Sequence, residues 1–508
     1  MIVGPAADLV GERWISLGGP SPTLVSRSPA DPSRIIWAGS PRAAHVDPAV
    51  AAARAAFPAW SAWPRERRFA VLRRFADLCK ARADAVASAI TDEVGKPLWD
   101  SATEAAALAA KVEITLDESG PLRRVADFEI DAGSGRRGLC WFRPHGVLAV
   151  LGPFNFPAHL PNGHIIPALA MGNTVVFKPS DKAPAVGQLL AELLLEALDA
   201  ESAPPGVLNL VHGGADVASA LVGHDDLDGI LFTGSFPVGR AIMQANLDRP
   251  GRILALEMGG NNAAIVLPDA DLRQAAVECA RSAFISTGQR CTCTRRLIVH
   301  EAVADRFIPL LAKITSNLIV GDPRSPHPVF MGPIISAAAR DSVLAFQSRA
   351  VASGAETIAA ARALDRPGHF LSPGILRVDR FTLDESAPGG DAEVFGPLLR
   401  LSLAPSFDDA LDQANTTRFG LAASVFTRDP AAIDRFRRLA RAGCVNINSG
   451  TAGASSKLPF GGLGRSGNHR PAGAFSIDYC AYPVAGLVEP GSAAQIPPGM
   501  RVDDAWLT

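Results

Sequence analysis

The chain has 508 residues, too many for one compact core, so two or three domains with substantial buried interiors are expected, which favours an enzyme over a small binding module. Hydrophobic residues make up 48% and charged residues 20%, and 49 Lys plus Arg nearly balance 51 Asp plus Glu, so no global field favours nucleic acid or an anionic membrane and a small ligand fits better. Seven cysteines, at 79, 140, 279, 291, 293, 444 and 480, are spaced unlike a disulfide framework, and neither a secretion-type leader nor an apolar run near the ~18 residues of a membrane span is present, so a cytoplasmic protein with free thiols is expected.

The segment Met1–Pro20 reads as irregular. From Asp47 and Pro48, an N-cap and first helical residue, alanine-rich helices run to about Leu116 with Phe57, Leu72, Phe75 and Leu78 as anchors, and their content reads as scaffold. Between Val125 and Arg143, Phe128/Ile130 and Leu139/Trp141 flank Gly133-Ser134-Gly135, the pattern of a β-hairpin with one apolar face. An exposed hairpin edge suits subunit pairing, and the tail from Ser476 to Val484 is expected to join it.

From Gly146 the rhythm changes to short apolar runs followed by helices: Val147–Leu151, Thr174–Phe177, Val207–Val211, Ile230–Phe232 and Ile253–Leu256. This predicts a parallel, helix-covered sheet whose ligand lies beyond the carboxyl ends of the strands, where Asn155, Lys178 and Gly234 stand, so a nucleotide site is expected. A second α/β set begins with a strand at Ala263–Leu267, a helix from Asp271 to about Ile285 and a strand at Arg296–Val299. The end of the chain, Pro490–Thr508, reads as irregular.

Cys291 sits in the small-residue turn Ser286-Thr287-Gly288-Gln289-Arg290-Cys291-Thr292-Cys293, with Arg290 adjacent to favour a thiolate. Local sequence leaves Cys291 and Cys293 equal, and the Cys-x-Cys spacing without nearby His argues for no metal. Glu257 follows an apolar strand and enters Met258-Gly259-Gly260-Asn261-Asn262, where shielding from water would raise its pKa and suit it to act as a base; a capping or salt-bridged Glu is the plain alternative. Asn155, framed by Pro153, Phe154, Phe156 and Pro157, is a candidate oxyanion donor or simply a turn residue. Gly234, Ser235 and Gly239 join a strand to a helix whose start can meet a pyrophosphate, though the spacing is not the usual dinucleotide fingerprint. Lys178, Ser180 and Asp181 at a neighbouring strand end suit phosphate and ribose hydroxyls.

Taken together and in order, from Trp14 to about Pro483, these segments resemble the aldehyde dehydrogenase superfamily. The elements that carry the resemblance are Pro-x-Asn-Phe-Pro at 153–157, Lys-Pro at 178–179, Phe-Thr-Gly-Ser at 232–235, Leu-Glu-x-Gly-Gly at 256–260, Gly-Gln-x-Cys at 288–291, Glu-x-Phe-Gly-Pro at 393–397 and Pro-Phe-Gly-Gly at 459–462. The resemblance implies an α/β fold with a Rossmann-type cofactor domain (1–124 and 146–256), an α/β catalytic domain (257–445) and a β-hairpin oligomerisation arm (125–145 and 470–490) building a homodimer or homotetramer. It makes Cys291 rather than Cys293 the nucleophile, Glu257 the base, Asn155 the oxyanion donor, and Glu393 and Phe395 the contacts of the cofactor's ribose and nicotinamide. NAD is the implied cofactor, with NADP open because Asp181 stands where many relatives have Glu.

Within the superfamily, the stretches 143–150, 258–262 and 289–296, together with Ser466-Gly467-Asn468-His469-Arg470-Pro471, resemble N-succinylglutamate 5-semialdehyde dehydrogenases of arginine breakdown. Such a substrate implies a pocket rich in donors and cations. By resemblance to glutamate-semialdehyde dehydrogenases, Thr292 and the backbone of Gly453 and Ala454 are expected to hold the α-carboxylate and Phe156 to contact the substrate, with Arg296, His469 or Arg470 at the succinyl end. Another semialdehyde, such as glutamate or succinate semialdehyde, a CoA-acylating reaction and a non-catalytic relative are the competing readings.

Overall fold

The computed structural model describes residues 4–133, 135–489, 491 and 496–506. Five-residue apolar runs with no polar face need cover on both sides, and Val147–Leu151, Thr174–Lys178 and Gly229–Thr233 are buried at every position. They lie within a seven-stranded sheet ordered Ile253–Glu257, Gly229–Thr233, Val147–Leu151, Thr174–Lys178, Leu208–Leu210, Ala7–Val10 and Arg13–Ser16, in which the first five strands are parallel. The two N-terminal strands correct the irregular reading of Met1–Pro20: they form an antiparallel pair that adds to the sheet edge through Leu9 opposite Leu210. The Asn209 side chain fastens their turn by accepting from the Gly11 N–H at 2.8 Å. That partner lies about 200 residues away, out of reach of any local pattern.

The expected helices are Val46–Ala62, Arg65–Ala81, Ala83–Val94 and Leu98–Thr115. The first starts after His45, slightly ahead of the Asp47/Pro48 signal. Leu72 and Phe75 anchor the core as expected, but Phe57 and Leu78 are only half-buried, and Trp60 and Cys79 fill the interior beside them.

A second seven-stranded sheet runs Glu356–Ala359, Gly374–Arg377, Leu398–Ala404, Thr294–His300, Asn262–Val266, Ala422–Phe426 and Cys444–Ile447, parallel except at its first pair. The chain passes between the two sheets through Met258 to Asn261, so Glu257 closes one sheet as Asn262 opens the other.

A third sheet holds the hairpin, Phe128–Asp131 with Arg137–Pro144, and the returning tail strand Ala481–Val488. Ser134 of the expected turn lies outside the described residues. The expectation of one apolar face is corrected by register: Phe128 pairs with Cys140 and Ile130 with Gly138, so Phe128 and Ile130 point to one face and Leu139 and Trp141 to the other. Among the described residues no helix is long and apolar enough to cross a membrane.

Candidate active site

Helix Leu272–Phe284 begins on Asp271, whose carboxylate accepts from the Arg273 and Gln274 N–H groups. Past its end, Ser286, Thr287 and Gly288 all take left-handed backbone, with φ of 51°, 57° and 70°. That conformation is costly for Ser and Thr and persists only where contacts over-determine it. Here Ser286 Oγ donates to Asp100 Oδ2 at 2.6 Å and Thr287 Oγ1 to the Gly332 carbonyl at 2.9 Å. At Gly288 a Cβ would stand 2.2 Å from the Gly396 carbonyl oxygen.

Two side chains absent from the expected site hold the thiol turn in place. Asn262 Nδ2 donates to the carbonyls of Cys291 (2.7 Å) and Cys293 (2.8 Å), clamping both ends of the Cys-x-Cys segment. The buried Arg295 guanidinium gathers the carbonyls of Gly260, Gly288, Arg290 and Val394. Both residues lie within the stretches that carried the resemblance, but their roles depend on carbonyl directions that only the folded backbone sets.

Cys291 lines a cavity of about 270 Å³ together with Glu257, Phe156, Thr292, Gly453 and Ala454. Cys293 is fully buried behind it, its Sγ facing the Ile285 carbonyl. Burial pushes the Cys291 thiol up to about 12, helped by the charges of Glu257 and Glu393. The expectation that Arg290 favours a thiolate at Cys291 is therefore corrected. Its guanidinium is committed to Asp100 Oδ1 at 2.7 Å and to Ser286 Oγ at 2.8 Å, over the Phe156 ring, so its charge is neutralised locally. Ionisation of Cys291 needs a proton acceptor.

Glu257 pairs in register with Thr233 at the strand end. Its carboxyl is buried and raised well above the ordinary range by desolvation, relieved only by the Ala472 backbone N–H, and Oε2 has no hydrogen-bond partner. A carboxyl with no cation to hold it charged, facing a cavity, is more basic than an ordinary carboxylate and so better able to take and return a proton. Asn155 is buried beside the thiol turn and does not line the cavity; its Nδ2 donates to the Gln289 carbonyl at 2.8 Å, which locks the amide in place.

The nucleotide residues gather where parallel strands end. Ser235 precedes helix Phe236–Ala245, whose first N–H groups point outward, and Gly234 N–H donates to the Glu257 carbonyl at 2.9 Å. At Gly239 a Cβ would lie 2.4 Å from Met258 Sδ, so a larger residue there would have to displace the Met258 side chain. Lys178 Nζ donates to the Pro179 and Gly213 carbonyls at 2.7 Å each, and burial lowers its pKa to about 8. Ser180 Oγ lies 3.4 Å from the exposed Asp181 carboxylate. Glu393 accepts from Gly260 N–H at 3.0 Å, and Phe395 packs edge-on to Phe154 with Arg295 over its ring. A cation, a helix start and the Asp181 carboxylate at the carboxyl ends of the first sheet, with Glu393 held at Gly260 between the two sheets, are the kinds of group that meet the phosphates and ribose hydroxyls of a dinucleotide.

Of the expected substrate residues, Phe156, Thr292, Gly453 and Ala454 line the cavity, and Arg296, His469 and Arg470 do not. Arg296 is fully buried, and its guanidinium donates to the carbonyls of Asn261, Gln413, Ala414 and Thr416, which makes it a backbone tie. His469 and Arg470 are exposed on a turn outside the cavity. The wall is instead built by Asp100, Glu104 and Lys111 of one helix and His159 and His164 of another. The signal was legible: three charged residues four and seven apart share one face of an alanine-rich helix, and such a stripe on a buried helix needs partners.

Behind that wall Lys96 Nζ meets Glu104 Oε2 at 2.6 Å, both buried, and Glu104 Oε1 accepts from the Ala158 and His159 N–H groups. Lys96→Met will strand a buried carboxylate and lower stability by about 3–5 kcal/mol. Urea unfolding followed by fluorescence will show the shift, and an unchanged midpoint would contradict it.

A cavity-facing thiol and a buried carboxyl with no partner at Oε2 meet at the junction of the two mostly parallel sheets of an α/β enzyme fold. The chain belongs to the aldehyde dehydrogenase family, whose pattern matches residues 16–483, and it is an oxidoreductase acting on aldehydes. It is 46% identical to N-succinylglutamate 5-semialdehyde dehydrogenase 1 of Caulobacter vibrioides, over 94% of this chain and 99% of that one. It is 44% identical to N-succinylglutamate 5-semialdehyde dehydrogenase of Paraburkholderia xenovorans, over 97% and 99%. Among solved structures, an aldehyde dehydrogenase from Brucella melitensis biovar abortus 2308 superposes with a TM-score of 0.87 at 32% identity, covering 96% of this chain and 97% of that one. PnpE in complex with nicotinamide adenine dinucleotide superposes with 0.90 at 31%, covering 98% and 100%. The expected α/β aldehyde dehydrogenase fold is thereby confirmed.

Proposed function

We propose that this chain oxidises N-succinylglutamate 5-semialdehyde to N-succinylglutamate with NAD as acceptor. The observation that carries the reading is the meeting of the Cys291 thiol and the Glu257 carboxyl in one cavity, in a chain alike over nearly its full length to enzymes of that name. Cys291 passes its proton to solvent water and attacks the aldehyde carbon as the thiolate, and the second hydrogen of the Asn155 amide, whose first is spent on the Gln289 carbonyl, and the Cys291 backbone N–H hold the resulting oxyanion. Bound NAD supplies the acceptor for the hydride leaving that carbon. Glu257 then takes a proton from water as it attacks the thioester on Cys291, and the acid leaves with the thiol restored. Lys178, Ser180, Asp181, Gly234, Ser235, Gly239, Glu393 and Phe395 would hold the cofactor, and the Asp181 carboxylate would repel the extra phosphate of NADP.

We assign residues 1–124 and 146–256 to the cofactor unit, 257–445 to the catalytic unit, and 125–145 and 470–490 to oligomerisation. All seven cysteines are free, which supports a reducing, cytoplasmic setting. Support for a dimer or tetramer comes from the hairpin, where Phe128 and Ile130 are more than half exposed on an edge strand. Phe128→Asp combined with Ile130→Asp is expected to reduce the mass measured by light scattering, and an unchanged mass would remove the hairpin from the interface.

NADH formation over a panel of N-succinylglutamate, glutamate and succinate semialdehydes tests the reaction. The succinylated substrate is expected to have the highest kcat/KM, and preference for either of the others would overturn the assignment. Glu257 favours water over CoA as acyl acceptor, so the product is expected to be the free acid with CoA present or absent.

A further inference from the structure

We propose that Lys111, with His159 beside it, receives the succinyl carboxylate of the substrate and so selects a semialdehyde bearing a second, distal carboxylate. This rests on the function proposed above and replaces the cations first expected at that end.

Charge accounting around the cavity singles out Lys111. Asp100 is matched by Arg290, Glu104 is matched by Lys96, and Glu257 on the same cavity is pushed toward its neutral form by burial. Lys111, buried on the same wall, has no carboxylate within ion-pair distance among the described residues. Its Nζ donates to the Gly473 carbonyl at 2.7 Å and to Ser476 Oγ at 2.6 Å, both neutral, and an ammonium has three hydrogens to give. A buried cation without an anion is costly unless a ligand supplies one.

The second observation is independent. His159, the first residue of helix His159–Met171, lines the same cavity, and its buried Nδ1 has no partner. Burial and the nearby charges of Lys111 and Lys96 keep its ring neutral, down to about 4, so it can present one N–H. Two unused donors on one wall match the two oxygens of a carboxylate. Both share the cavity with Cys291, so a molecule held by its carboxylate at this end can place an aldehyde at the thiol.

The test compares N-succinyl- with N-acetylglutamate 5-semialdehyde, which lacks only the distal carboxymethyl group, in the wild type, Lys111→Met and Lys111→Arg. In the wild type kcat/KM should favour the succinyl substrate by roughly 30-fold or more. Lys111→Met should collapse that ratio to within about threefold, chiefly through KM, and Lys111→Arg should keep most of it. A ratio unchanged in Lys111→Met, or an equal fall for both substrates, would assign Lys111 a packing role and overturn the proposal while leaving the reaction standing. Wild-type preference for free glutamate or succinate semialdehyde would overturn the reaction and the proposal together. Product inhibition of the wild type needs no variant: N-succinylglutamate should inhibit more strongly than N-acetylglutamate, and equal inhibition would overturn the proposal.

Discussion

Cys291→Ala will abolish steady-state aldehyde oxidation, with kcat falling by about 10⁴-fold or more. No other cysteine lines the cavity, and Cys293, two residues on, is walled off by its own turn, so no thiol can substitute. The variant should fold, since the turn is held through backbone carbonyls by Asn262 and Arg295 rather than through the thiol. Initial rates over a range of enzyme concentrations will check this, and residual turnover within tenfold of wild type would remove Cys291 as nucleophile. The raised thiol pKa has its own signature. In the cofactor-free protein, iodoacetamide should modify Cys291 about tenfold faster per pH unit between pH 7 and 9, with no plateau, because both values lie below a pKa of about 12.

Glu257→Gln will separate the two halves of the reaction. The amide keeps the shape of the side chain and its acceptor for the Ala472 N–H, but it cannot take a proton from water. Rapid mixing should show a burst of NADH near one equivalent, followed by a steady state lowered by about 10²–10⁴-fold as thioester accumulates. The sign of the pH effect is set by the folded-state shift. Glu257 is raised above the ordinary carboxylate range, so it acts as a base only as pH climbs through that raised value, and the acid limb of wild-type kcat should lie above the usual range. That limb should be missing in the variant. An unchanged steady state would remove Glu257 as the hydrolytic base.

The outcome at individual residues shows what kind of information each level holds. The local pattern at Glu257, an acidic residue at the end of an apolar strand entering a double glycine, left a capping or salt-bridged Glu as the plain alternative, and only the resemblance made it a base. The charged stripe of Asp100, Glu104 and Lys111 could be read from its spacing, but the place of Lys111 and His159 beside Cys291 could not, because only packing turns the faces of these helices toward the thiol. Arg296 erred in the opposite direction. It was expected as a cation at the succinyl end, yet its strand is interior to the sheet and the guanidinium spends its donors on backbone carbonyls.

By itself, the sequence determined the α/β class and most of the parallel strands, because hydrophobic period and turn chemistry are local properties, while the roles of Cys291, Glu257 and Asn155 came from ordered motifs as what the family resemblance implies. Tertiary structure alone decided that two N-terminal strands extend the first sheet, that the hairpin's apolar residues divide between two faces, that Asp100 cancels Arg290, and that Lys111 stands uncompensated on the cavity wall. Each of these depends on the direction of a side chain or on a partner more than 100 residues away or across a strand register, and charge in a buried wall has meaning only once every neighbour is in place.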